Sequence, residues 1–223
     1  MMNMRGVGFP GPGLNPDRAC KMTLQDLINE LADYFQVIHK RIPNARLGVI
    51  EALGYFHVLG PNGQEYPHTD SMLPVWKFAD FFDHLLLAMK ERNLQLDHFH
   101  LDFGFDGVDY DGRSEGKLNF GRVLAVEAYV RSKGVKAGLI FNAFHDRKIK
   151  NPERDTASRE AYQRTLRYFS EYIKAGGKAD QMVLQTWHPY PDRTGPEDEP
   201  FTVLNIARDV IEAAPHTRMR NPK

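Results

Sequence analysis

The stretch His98-Phe99-His100-Leu101-Asp102-Phe103-Gly104-Phe105 decides the fold. Read with a period of two, it sets His98, His100, Asp102 and Gly104 on one face and Phe99, Leu101, Phe103 and Phe105 on the other. A strand that is aromatic on one side and polar on the other belongs between helices and a functional interior, with the aromatic face toward the helices. Working outward, the pattern predicts a helix over residues 74–92 before this strand and another over residues 120–133 after it.

The same unit recurs along the chain. Thr23 can cap a helix whose apolar residues Leu24, Leu27, Ile28, Leu31, Tyr34, Phe35 and Ile38 follow helical spacing, and Pro43 and Asn44 mark its end. The run Leu47-Gly48-Val49-Ile50-Glu51-Ala52-Leu53 is too short for a helix and reads as a buried parallel strand. Strands over residues 137–143 and 181–188 follow helices over 120–133 and 157–175, and a last helix covers 201–214. Such alternation is the signature of βα units on a parallel sheet.

Turns from helix into strand are short, at residues 42–46 and 132–136. Connections from strand into helix are long and aromatic, at residues 54–73, 104–119, 144–156 and 189–200. Parallel α/β folds build their sites from loops at the carboxyl ends of strands. The expected fold class is therefore α/β, with parallel βα units of a (β/α)8 TIM-type barrel present as a partial barrel, or alternatively a small open parallel sheet. Residues 1–22 read as a loop or truncated amino-terminal segment, 23–216 as the βα-repeat domain and 217–223 as a tail. Four barrel units leave two strand edges and an inner face uncovered, which calls for a homodimer, a missing amino-terminal half, or closure as an open sheet with helices on both faces.

Composition limits the partners. The 29 Lys and Arg residues balance 29 Asp and Glu, so no broad positive field favours nucleic acid or an anionic membrane. The longest apolar stretches, such as residues 81–89, are broken by Asp83 and His84 and fall short of the roughly 20 residues of a membrane span. Cys20 is the lone cysteine, so an intrachain disulfide and a thiolate zinc cluster are excluded. The segment Gly104-Phe105-Asp106-Gly107 lacks GxGxxG spacing and an immediate helix start, which argues against a nucleotide phosphate loop.

Chemistry is expected where polar residues interrupt apolar strands near their carboxyl ends. Glu51 and Asp102 are the candidate catalytic residues; Asn142, His145, Gln185, Trp187, His188 and Tyr190 are the candidate substrate contacts. Two carboxylates on adjacent strands, with amides and an aromatic wall, suit sugar chemistry: one carboxyl protonates the departing oxygen while the other attacks or activates water. Other readings stand beside these. Glu51 can pair with an arginine, Asp102 can hold a backbone amide, and His98 and His100, deeper in the strand, read as interior hydrogen-bonding residues.

The segments RLGVIEALGYF, FHLDFGFDG, GLIFNAFHD and VLQTWHPYPDRTGPEDEPF resemble the last four strands of TIM-barrel proteins of the glycoside hydrolase kind, over about residues 20–214. In those enzymes a Glu or Asp closes a strand and a Trp commonly closes the last one. The resemblance implies a carbohydrate or glycoside substrate, no cofactor and no metal, with Glu51 and Asp102 as acid/base and nucleophile in either order. Two alternatives remain open. One is a metal-dependent sugar isomerase or hydrolase using Glu51, Asp102, His145 or His188 as ligands; the other is a non-catalytic carbohydrate-binding half-barrel.

Overall fold

The first helix, α1 (Leu24–Arg41), starts where the sequence says it should. Thr23 accepts a hydrogen bond from the Asp26 backbone N–H, and the Asp26 carboxylate accepts one from the Thr23 backbone, closing a capping box. Leu27, Ile28, Leu31, Ala32 and Phe35 form its buried face. The computed structural model describes residues 23–67, 76–112, 117–142, 153–185 and 190–213. The amino-terminal segment 1–22, the tail 217–223, and His145, Trp187 and His188 lie outside the described residues.

After α1 come β1 (Leu47–Ala52), a single 3-10 turn (Leu53–Tyr55), β2 (Phe56–Leu59), β3 (Glu65–Tyr66) and β4 (Trp76–Lys77). Next follow α2 (Phe78–Glu91), β5 (Leu96–Asp102), α3 (Phe105–Gly112), α4 (Gly121–Ser132) and β6 (Lys136–Phe141). The chain ends with α5 (Arg154–Lys174), β7 (Gln181–Leu184) and α6 (Val203–Ala213). Four strands form one parallel sheet in the order β1-β5-β6-β7, flanked by helices, so the α/β class and the parallel βα repeat hold. Among the described residues the sheet does not close into a barrel.

Two connections contain structure that the sequence reading treated as loop. The connection after β1 carries β2 and β3, which with β4 form a second, three-stranded sheet in the order β3-β2-β4, with β2 antiparallel to β3 and parallel to β4. Because Trp76 and Lys77 pair with Phe56 and His57, α2 begins at Phe78 rather than at residue 74. Residues 104–119 carry α3, which starts at Phe105, so the expected absence of a helix start beyond Gly104 was wrong. Two helix ends also shift. Glu153 caps α5 through bonds from the Asp155 and Thr156 N–H groups, drawing that helix three residues earlier than expected. At the last helix, Phe201 sits at φ 60° and Thr202 accepts from the Asn205 N–H, delaying α6 to Val203.

The chain divides into two compact units. One comprises the residues up to Asp102 with Gly121–Leu139 and Ala179–Met182; the other comprises Phe103–Phe120, Ile140–Lys178 and the residues from Val183 onward. In the first, Phe99 meets Phe78, Phe81 and Phe82 of α2 at ring-centroid distances of 5.4, 6.4 and 5.3 Å. In the second, Phe141 meets Tyr168, Phe169 and Tyr172 of α5 at 5.3, 5.4 and 5.7 Å. Each strand thus turns its aromatic side to a helix, and burying rings of this size contributes substantially to the stability of each unit.

Phe99 is fully buried. Phe99→Ala should cost about 3–5 kcal/mol in urea denaturation, with the denaturant slope unchanged. A loss below about 1 kcal/mol would show that the ring cluster is not the core of this unit.

Candidate functional site

Sheet register assigns each side chain of β1 and β5 to a face. Gly48 pairs with His98, Ile50 with His100 and Ala52 with Asp102; Val49 pairs with Phe99 and Glu51 with Leu101. Paired residues of neighbouring parallel strands project from the same side, and successive residues alternate. The polar face of β5 is therefore His98, His100 and Asp102, as expected, and Phe99 on the other face packs against α2. Glu51 does not share the face of Asp102. It projects with Leu101 toward the helix side, where it is 2% exposed, whereas Asp102 is half-buried at the carboxyl end of its strand.

On the polar face the two histidine rings lie 4.9 Å apart. A Cβ at Gly48 would collide with the His98 ring, and one at Gly138 of β6 would collide with the His100 ring. Glycine is required at both places because imidazoles occupy the space above the neighbouring strands. His98 Nδ1 is 3.1 Å from an Asp97 carboxylate oxygen, and Lys136 donates to the other Asp97 oxygen at 3.1 Å. His100 Nε2 is 2.7 Å from the Gln181 side-chain oxygen and donates to it. The interior hydrogen-bonding reading of this pair agrees with these contacts. Gln181, absent from the sequence-derived candidates, is the residue that fixes the His100 ring. Gly48 and Gly138, unusual inside strands, were the available signal.

The second unit holds Asn142, Gln185 and Tyr190. Asn142 is buried directly after β6; its carboxamide occupies the place of a Cβ on Gly104, and its backbone oxygen accepts from the Phe105 N–H at 3.0 Å. Gly107 in turn leaves room for the Phe103 ring. Both glycines of Gly104-Phe105-Asp106-Gly107 are thus accounted for by close packing. Gln185 donates its backbone N–H to Phe141 O at 3.4 Å, and its side-chain Nε2 is buried without a hydrogen-bond partner among the described residues. Tyr190 is half-buried at the start of a segment held by ion pairs of Asp192 with Arg154 and of Arg193 with Glu199.

Among the described residues, no group of three or more His, Cys, Asp and Glu side chains is placed to hold a metal ion, and no helix is long and apolar enough to cross a membrane. No protein-family model matches the chain, and comparison with curated proteins and with solved structures gives no match.

Burial holds the His100 pKa below its ordinary value; the bond to Gln181 opposes this, and the neighbouring His98 adds to it. The unfolded chain, with an imidazole pKa of about 6.5, therefore binds more protons than the fold in mildly acid solution. The stability linked to a neutral His100 is present above about pH 6.5 and is lost as pH falls toward the lowered folded value. Equilibrium unfolding should weaken below pH 6.5 by at most about 1.4 kcal/mol per pH unit for this one group. His100→Gln should flatten that dependence between about pH 6.5 and 5, and an unchanged slope in the variant would remove His100 as its source.

Proposed function

We propose that the chain is part of a (β/α)8-type barrel that acts on a carbohydrate, hydrolysing a glycosidic bond at the carboxyl ends of its parallel strands, with Asp102 as the carboxylate facing substrate. The observation that carries this reading is the gradient along the polar face of β5. His98 and His100 are buried and bonded within the sheet, and Asp102, two residues on, is half-buried at the strand end. Functional groups of parallel α/β folds stand at that end.

Hydrolysis breaks the bond between the anomeric carbon and the departing oxygen. The oxygen takes a proton from a general acid, and water supplies the hydroxyl that replaces it, directly or after a carboxylate has attacked. Asp102 fills one of these two roles. Glu51 leaves the opposite side of the sheet and is buried there, so in this reading it is a structural residue rather than the second reacting group. The second reacting group then comes from another segment or from a second copy of the chain.

The test is hydrolysis of a panel of aryl glycosides by the purified chain, monitored by released phenol. Asp102→Asn should lower kcat by about 10²–10⁴-fold, and Glu51→Gln should lower stability more than turnover. Full turnover in Asp102→Asn would sink the assignment. Sugar binding without any turnover would favour a non-catalytic carbohydrate-binding protein, and activity abolished by a chelator and restored by a divalent cation would favour the metal-dependent isomerase or hydrolase.

A further inference from the structure

The tip of the β2–β3 hairpin reads Gly60-Pro61-Asn62-Gly63-Gln64. Two backbone bonds close it, from Gly60 N–H to Gln64 O at 2.7 Å and from Gly63 N–H to Gly60 O at 3.0 Å. Asn62 and Gly63 are exposed, and among the described residues no hydrogen bond holds the Asn62 carboxamide. Gly63 has φ 76°, and no atom lies within 4 Å of the place a Cβ would take. The carboxamide carbon of Asn62 is therefore free to turn toward the backbone nitrogen that follows it, and no side chain on that residue shields the nitrogen.

The chain contains three dipeptides of this kind, Asn62-Gly63, Asp106-Gly107 and Asp111-Gly112, and the structure separates the first from the other two. Both aspartates lie in α3, where helical backbone fixes the following nitrogen. Gly107 N–H donates to Gly104 O at 3.0 Å, and the Phe103 ring lies 2.7 Å from the place of a Gly107 Cβ. Gly112 is buried against the Lys117 backbone. An aspartate would also have to expel water rather than ammonia.

We propose that Asn62 is a site of spontaneous covalent modification, deamidating through a cyclic imide closed by the Gly63 nitrogen, with water as the co-reactant. The Gly63 nitrogen bonds to Asn62 Cγ, the Cγ–Nδ2 bond breaks, and ammonia departs with the proton from the Gly63 N–H. Water then opens the imide. Opening at Cγ leaves aspartate and restores the peptide; opening at the Asn62 main-chain carbonyl leaves isoaspartate, with the chain running through the side chain. Nothing is oxidised or reduced. Isoaspartate lengthens a turn that the two backbone bonds hold closed, so the hairpin tip loosens, while its base stays held by Arg122, which donates to Phe56 O at 3.2 Å and Pro67 O at 2.9 Å. This site does not rest on the hydrolase reading.

The test is prolonged incubation of the full chain in warm, mildly alkaline buffer, followed by tryptic mapping and isoaspartate detection by enzymatic methylation. Arg46 and Lys77 bound a peptide in which Asn62 is the one asparagine. That peptide should gain about 1 Da, the exchange of an amide NH2 for OH, and should carry isoaspartate. Isoaspartate in the peptide over residues 93–113, which holds both Asp-Gly pairs, should form at least tenfold more slowly. In the aged, isotopically labelled protein the Gly60 and Gly63 amide resonances should each split while those of α4 stay single. Asn62→Gln should abolish the mass gain, and Gly63→Ala, which puts a methyl group beside the nitrogen, should slow it at least tenfold, each in protein whose NMR spectrum stays folded. No mass gain in the folded chain, a gain that persists in Asn62→Gln, an undiminished rate in Gly63→Ala, or faster isoaspartate formation over residues 93–113 would overturn the proposal.

Discussion

Imidazole rings lying over glycines set the constraint on which the rest of the structure depends. His98 covers Gly48 of β1 and His100 covers Gly138 of β6, each so closely that even a methyl group on the glycine would collide. Two bulky side chains on one strand thus demand the smallest residue on the strand at either side, and they do so at defined positions. A slip of β5 by one residue would send Phe99 and Leu101 to the polar face and the histidines toward α2. Register, face assignment and helix packing are therefore one decision.

The consequence reaches the carboxylates. With Gly48 locked to His98, Ala52 falls beside Asp102 and Glu51 beside Leu101, so two acidic residues close in sequence register leave opposite sides of the sheet. Adjacency of strands made them look like a pair; the period of two parts them. One carboxylate reaches the strand end on the polar face, and the other is shut into the helix side of the sheet.

Much of this was legible in the residues. The helical spacing from Leu24 to Phe35 and its Thr23 cap, the apolar run at Leu47 and the alternation at His98 to Phe105 all name their elements directly, because each pattern extends over enough residues to exclude the competing period. The hairpin was not legible: β3 and β4 are two residues long, too short to show any period, and β2 owes its pairing to partners up to 20 residues away. Helix α3 was hidden for a different reason. Its sequence, FDGVDYDG, is rich in Gly and Asp, poor helix formers, and its first turn is held by Asn142, which donates nothing to local propensity but accepts from Phe105. At the candidate site, residue types near strand ends could be read off, but the face each one takes required the register.

Arg122 shows how the hairpin is tied to the helix beneath it. A guanidinium wholly removed from water carries a desolvation penalty of several kcal/mol, so its neighbours must use its donors well. The acceptors are Phe56 O and Pro67 O, which bracket the hairpin, and the Tyr66 ring lies alongside. An apolar side chain of similar volume would pack there but lose both of these bonds. The charge therefore clamps both ends of the hairpin to the first turn of α4. One position earlier stands Gly121, with Ala125 and Ala128 beyond it on the same helix, and there the surface is cut back to backbone and methyl groups. The hairpin, bonded to α4 at its base, crosses that floor with a solvent-open trough of about 530 Å³ between the two.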